Sequence, residues 1–211
     1  HESVYKVEYH EGVKTSDASS SFYTPGEGWG SYKKNGVSGN STSTLAASTT
    51  YPYTSPGAPN AIFTARSVSA SDASTSPSNL FNHHLQWTVG SSDSIIYESQ
   101  WSGYKQIRVD ETFSPSLLSP SSTPVKFIII DDLGAATDYQ AYSYMSVEYA
   151  RLPNFGGGSE LNFDVVNATS QSKILLNVTT SGYNQPIMLV HGDTPRIVPF
   201  IPNGGFYSVL I

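Results

Sequence analysis

Apolar and polar residues alternate with a period of two in segment after segment of this chain. Successive side chains of a strand point to opposite faces, so such alternation predicts half-buried β-strands. In Val4 to Tyr9, Tyr5, Val7 and Tyr9 share one face while Lys6, Glu8 and His10 share the other. Ala61 to Ser69 sets Ala61, Phe63 and Ala65 against Ile62, Thr64 and Arg66. Leu85, Trp87 and Val89 alternate with Gln86 and Thr88, and Ile95, Tyr97, Ser99 and Trp101 form the next candidate. In Tyr104 to Glu111, Ile107 and Val109 oppose Gln106, Arg108 and Asp110. Val125 to Ile130 is nearly all apolar and reads as a central strand covered on both faces. Tyr139 to Arg151 is ambiguous: Asp138 could cap a helix carrying Tyr142, Met145 and Tyr149 on one face, but its Tyr, Val and Ser content favours a strand. Leu161 to Val166, Lys173 to Thr179, Pro186 to His191, Arg196 to Ile201 and Phe206 to Ile211 complete the series.

Turn signals separate the later strands at short intervals: Gly156-Gly157-Gly158, Ser181-Gly182, Gly192-Asp193 and Asn203-Gly204-Gly205. That spacing belongs to all-β sandwiches and barrels. The earlier half differs. Gly12 to Lys34, Gly36 to Asn60, Ser67 to Asn79 and Ser114 to Pro124 are rich in Ser, Thr, Pro and Gly and read as long, ordered loops. With no repeat and no clear linker, residues 1–211 read as a single all-β domain, an antiparallel barrel or sandwich. Both ends lie inside strand-like alternation, so they read as cuts through a longer polypeptide or a processed precursor.

Composition supports the same class. The 34 Ser and 17 Thr compete with a helical backbone for hydrogen bonds, and 13 Pro interrupt it. A net charge of −6, with 11 scattered basic residues, argues against nucleic acid as a partner. No apolar run approaches the roughly 18 residues of a membrane span, so membrane insertion is not expected. The absence of cysteine fits a chain assembled in a reducing compartment, although a core of this size needs no disulfide elsewhere.

Candidate chemistry is sparse. His1 as a mature N-terminus could bind copper through its amino group and imidazole, with His10, His83, His84 or His191 completing the site, as in lytic polysaccharide monooxygenases; the plainer reading is an edge strand beginning at Glu2. His83 and His84 are adjacent, so on a strand they face opposite ways and cannot share one ion; they read as a polar entrance to the following strand. Asp110-Glu111, Asp131-Asp132 and Asp138 are carboxylates at strand ends, suited to glycoside hydrolysis or Ca²⁺, but Asp131-Asp132-Leu133-Gly134 reads more simply as a turn. G-x-S-x-G and H-E-x-x-H are absent, and 34 serines make any proposed Ser/His/Asp triad empty. No enzyme, cofactor or metal is therefore expected. Asn40, Asn167 and Asn177 head N-x-[ST] sequons, a number that 11 Asn among so many Ser and Thr would produce by chance.

The aromatics carry more. Trp29, Tyr32, Tyr51 and Tyr53, with Tyr23, sit in the long loops of the first half. Tyr and Trp among Ser, Gly and Asn make an adaptable recognition surface, and their faces stack on sugars; the alternative is that these rings pin their own loops. The chain as a whole resembles the protruding, receptor-binding domains of non-enveloped virus capsids, most nearly the astrovirus capsid spike. The features that carry the resemblance are Val4–Tyr9 and Phe206–Ile211 at the ends, the lack of Cys, the loops Gly36–Asn60 and Ser67–Asn79, and the turn-punctuated strands from Phe127 to Ile211. It implies a β-barrel-like spike on the virion surface, a homodimer that engages a host cell-surface receptor and is a target of neutralising antibodies, and not an enzyme. The ligand-binding candidates are Trp29, Tyr32, Tyr51 and Tyr53. A secreted carbohydrate-binding module or lectin is the alternative, and the His1 copper polysaccharide monooxygenase a third.

Overall fold

Segments that alternate in sequence become strands whose buried residues alternate in step. The computed structural model describes residues 2–5, 8–10, 28–72, 80–156, 160–162, 173–180, 186–191 and 195–210. Internal packing divides the chain into two units, His1–Ala150 and Arg151–Ile211. The first carries β1 (Glu2–Tyr5), β2 (Glu8–His10), β3 (Gly28–Gly30), β4 (Lys34–Asn35) and β5 (Ser41–Thr49). It continues with β6 (Ala61–Ser69), β7 (His83–Val89), β8 (Ser94–Trp101), β9 (Gln106–Phe113), β10 (Ser121–Ile129) and β11 (Tyr139–Glu148).

These strands form two main antiparallel sheets. One runs β1-β11-β6-β9, with β4 also on β11; the other runs β5-β10-β7-β8, and β2 pairs with β3. The inward sets of the two sheets meet face to face. Phe63 of β6 lies 5.3 Å from Trp87 of β7, and Tyr142 of β11 packs edge-on against Trp87 and tilted against Phe127 of β10. Leu85, Val89, Val125, Ile129, Val109, Met145 and Val147 fill the space around them and are buried. Each such side chain contributes about 1.5–3 kcal/mol on removal from water. The arrangement is a sandwich, all-β as expected, and no barrel closes among the described strands.

Two sequence expectations change here. Gly36–Asn60 is not a continuous loop, because its middle is β5, a nine-residue strand fully paired to β10. Its inward residues are Ser43, Leu45, Ala47 and Thr49, and its outward ones Thr42, Thr44, Ala46 and Ser48. Polar residues on both faces conceal the period, and β-branched Thr supplies strand propensity in a segment that composition assigns to a loop. The Thr49 hydroxyl is satisfied: it donates to the Ser119 carbonyl and lies 2.7 Å from Thr123, whose Oγ1 accepts the Ser119 N–H, whereas the buried Ser43 hydroxyl has no hydrogen-bond partner among the described residues. Likewise Ser114–Pro124 holds one 3₁₀ turn, Pro115–Leu117, and the start of β10. Pro124 is tolerated within β10 because its carbonyl accepts the Gly90 N–H, so its nitrogen also faces away from β5, toward the position one residue past the last β7 pair, Val125 with Val89.

Tyr139–Glu148 is a strand. Its pairing with β6 shifts between Tyr142 and Tyr144, so Ser143 is an extra residue, a β-bulge. Tyr142 and Met145 therefore share the core face three residues apart, which is the spacing that suggested a helix. β10 is central, but of the segment Val125 to Ile130 only Val125, Phe127 and Ile129 are fully buried, while Lys126 and Ile128 on its other face are half-buried. Asp110 and Glu111 lie inside β9 rather than at its end, opposite Thr64 and Phe63 of β6.

The second unit carries β12 (Leu175–Val178), β13 (Ile187–Val190), β14 (Arg196–Pro199), β15 (Ile201–Asn203) and β16 (Phe206–Leu210). β12-β16-β15 form one antiparallel sheet and β13-β14 a two-stranded ribbon. Gly204 and Gly205, both at positive φ (53° and 101°), make the tight turn between β15 and β16. Arg196 to Ile201 is thus two strands, and of Leu161 to Val166 only residues 161 and 162 are described, outside any strand. His1, Tyr23, Asn167, the Ser181-Gly182 and Gly192-Asp193 turns, and most of Gly12–Lys34 and Ser67–Asn79 lie outside the described residues. No helix of the described residues is long and apolar enough to cross a membrane.

Candidate functional site

Polar side chains of the first unit converge on the opening residues of β7. His83 and His84 face opposite sides of their strand, as alternation requires, yet both are buried. His83 Nδ1 lies 2.7 Å from Asp138 Oδ1, its Nε2 lies 2.8 Å from the Ser71 carbonyl, and its ring stacks on Trp101 at 5.3 Å. A carbonyl can only accept, so Nε2 carries a hydrogen. The Asp138 carboxylate also accepts Gln140 Nε2 (2.9 Å) and, more weakly, the His84 N–H (3.4 Å). Trp101 in turn donates its indole N–H to Ser69 Oγ.

On the opposite face, His84 Nδ1 meets both carboxylate oxygens of Asp132 at 2.9 and 3.0 Å, and its Nε2 meets Glu98 Oε1 at 2.8 Å. Glu98 also accepts Gln86 Nε2 at 2.9 Å. The hydrogen bonds from Gln86 and His84 hold the Glu98 carboxyl below its usual pKa, against a small opposing effect of burial. Gln100 Nε2 lies 3.3 Å from His84 Nδ1; the shorter Asp132 contact is the better hydrogen bond.

This network ties together elements distant in sequence. Asp138 opens β11, Asp132 belongs to the segment after β10, Glu98 lies on the edge strand β8, and Ser71 follows β6. Chemically it is closed. Each ring nitrogen of His83 and His84 is engaged by a protein acceptor, which leaves no free imidazole lone pair for a substrate proton or a metal. Although Ser71, His83 and Asp138 converge, His83 bonds the Ser71 backbone carbonyl, while Ser71 Oγ accepts the Tyr139 N–H, so no activated nucleophile results. Among the described residues no group of three or more His, Asp or Glu could hold a metal ion. Asp131, read from sequence as part of a turn, accepts the Gly39 N–H at 2.7 Å and donates its own N–H to Asn40 Oδ1 at 2.9 Å.

The aromatic candidates are not brought together: Tyr32 stands beside the start of β11, where β4 pairs with Tyr139 and Gln140, and Tyr51 and Tyr53 stand beside its end, at Tyr149 and Ala150. Tyr32, between β3 and β4, is 73% exposed. The adjacent Lys33 places its Nζ 4.6 Å over the Tyr139 ring. Tyr51, just past β5, is 37% exposed and sits at φ = 51°. Left-handed backbone costs a non-glycine residue about 1–2 kcal/mol and persists only where the surroundings hold it. Anchors on either side do so: Tyr149 Oη lies 3.4 Å from the carbonyls of Ser48 and Thr50, and the Tyr53 N–H donates to the Ala150 carbonyl at 2.8 Å. Tyr53 is half-buried and Pro52 buried. Trp29 lies in β3 opposite Tyr9, and its side chain is outside what is described. His191 is exposed; His1 lies outside the described residues, so the copper site rests on sequence alone.

Sequence reading had the histidines and the carboxylates but not their pairing, since 48 to 55 residues separate His83 and His84 from Asp138 and Asp132. No local pattern marks such a pair. The chain matches no protein-family model, and no curated protein is detectably similar to it.

Proposed function

We propose that this chain is an extracellular recognition domain, the receptor-attachment domain of a capsid spike, rather than an enzyme. The observation that supports this reading is Tyr51, an exposed aromatic held in a strained backbone between two anchored points. Strain fixed in a loop on a stiff sheet scaffold pre-organises a ring for contact and lowers the entropy lost on binding. Tyr32, beside the other end of β11, offers a second and separate exposed ring, next in sequence to Lys33 and Lys34. The imidazoles of the buried network serve the scaffold, which separates stability from recognition.

Homodimerisation belongs to the same reading. The β13-β14 ribbon presents Ile187, Leu189 and Ile197 outward, an apolar surface of the kind that association buries. A dimer in solution, measured by sedimentation or light scattering, favours the spike, and a monomer favours a secreted carbohydrate-binding module.

The test is binding of the labelled full chain to a panel of intact host cells and to a glycan array. Tyr32→Ala combined with Tyr51→Ala should weaken binding at least tenfold, about 1.4 kcal/mol, with the thermal unfolding profile retained. Unchanged binding by the double variant would remove these rings from the interface.

A further inference from the structure

Two of the three sequons lie among the described residues, and both have the same unusual chemistry. Asn40 follows a turn in which Ser38 and Gly39 adopt positive φ (73° and 119°), immediately before β5. Its side chain is exposed, and its Oδ1 accepts the Asp131 N–H. Asn177, on β12, is also exposed, and its Oδ1 accepts the Ser208 hydroxyl at 2.7 Å. The hydroxyl-bearing residues two positions on, Thr42 and Thr179, are exposed as well. Each asparagine thus uses its carbonyl oxygen for the fold while, among the described residues, no hydrogen bond engages its amide nitrogen.

That division is what an N-linked glycan requires of a folded chain. Attachment replaces one hydrogen of the side-chain amide nitrogen and leaves the carbonyl oxygen in place, so the bonds to Asp131 and Ser208 survive it. Both residues also open onto solvent at strands paired on one side only among the described residues: β5 pairs with β10, and β12 with β16. From Asn40 a saccharide would lie along the outward row Thr42, Thr44, Ala46 and Ser48, which is small, polar and free of charge. It would also cover an edge that otherwise invites pairing with another chain.

We infer that Asn40 and Asn177 are N-glycosylation sites. The co-reactant is an oligosaccharide carried on a lipid diphosphate. The asparagine amide nitrogen forms a bond to the anomeric carbon, the bond from that carbon to the diphosphate oxygen breaks, the diphosphate leaves with the electron pair, and the amide proton passes to base. No oxidant or reductant is needed. The modification demands passage through a lumen where such donors are used, a route open to an extracellular recognition domain, and it leaves the proposed tyrosine contacts untouched.

The experiment is peptide mapping of the full chain, purified from its native source and from a eukaryotic secretory host, before and after enzymatic removal of N-glycans in heavy-oxygen water. The expected result is isotope-labelled aspartate at positions 40 and 177, and a two-step loss of mass on digestion. Thr42→Ala and Thr179→Ala should each abolish one step; they keep both asparagines and their Oδ1 bonds, so they fold where Asn→Gln variants could fail. Unmodified asparagine at both positions in the folded, secreted chain would overturn the inference, and at one position would overturn that site. A glycosylated chain that binds no cell and no glycan leaves this inference standing and removes the attachment reading instead.

Discussion

The two units are written in the same alternating code, yet their apolar residues end in different places. In the first unit the inward residues of β6, β7, β9 and β10 are buried, and Trp87 contacts Phe63, Phe127 and Tyr142. In the second, only Val178 and Val209 of the described hydrophobic residues are buried, while Leu175, Ile187, Leu189, Ile197, Ile201 and Leu210 are exposed. Strand pairing therefore does not require a filled core. Alternation specifies which residues share a face; a second sheet across from that face decides whether they leave water.

Substitutions sharpen this contrast. Trp87→Ala should have the largest effect, about 3–5 kcal/mol in denaturant unfolding, because it empties the centre of the sandwich. Ile197→Ala, on the outward face of β14, should stay within about 0.5 kcal/mol when unfolding is followed at a concentration too low for association. Were it to destabilise the monomer as much as Trp87→Ala, the ribbon face would be covered within the chain itself and the contrast would fail.

Asp138→Asn tests the polar side of the first unit. Removing the charge that receives His83 and Gln140 within the fold should cost about 3 kcal/mol, measured in the same way. A near-neutral result would mean that the network is dispensable to the sandwich.

The smallest effect concerns pH. Glu98 has a lowered pKa in the fold, so it contributes stability above the ordinary carboxylate range. That contribution is lost as pH falls through its folded value. Its side chain is 45% exposed, so screening by solvent keeps the contribution small. Glu98→Gln should flatten the acid limb of the stability profile slightly and leave stability near neutral pH a little lower. An acid limb identical to that of the wild type would mean that the His84 contact carries no linkage.

Much of the scaffold was legible in the sequence. Phe63, Leu85, Trp87, Val89, Ile107 and Val109 announce their strands because apolar contrast marks one face. β5 was hidden because Ser and Thr occupy both of its faces, so burial has no local signature there. The bulge at Ser143 produced a three-residue spacing between Tyr142 and Met145 that imitates a helix, and only pairing with β6 reveals the extra residue. Of the candidate site, Tyr32 and Tyr51 were singled out by loop composition. The strain at Tyr51 depends on the Tyr149 and Ala150 anchors about a hundred residues away, which nothing local encodes.

The sequence by itself determined that the chain is all-β, which residues share a face, and where carboxylates, imidazoles and sequons stand. These follow from side-chain period and backbone propensity, both of which are local. Tertiary structure alone decided that His83 meets Asp138, that His84 bridges Asp132 and Glu98, and that Asn40 and Asn177 keep their oxygens for the fold. Those outcomes depend on which strands lie side by side. Pairing is a long-range choice made by the whole core, so no single stretch of sequence contains it.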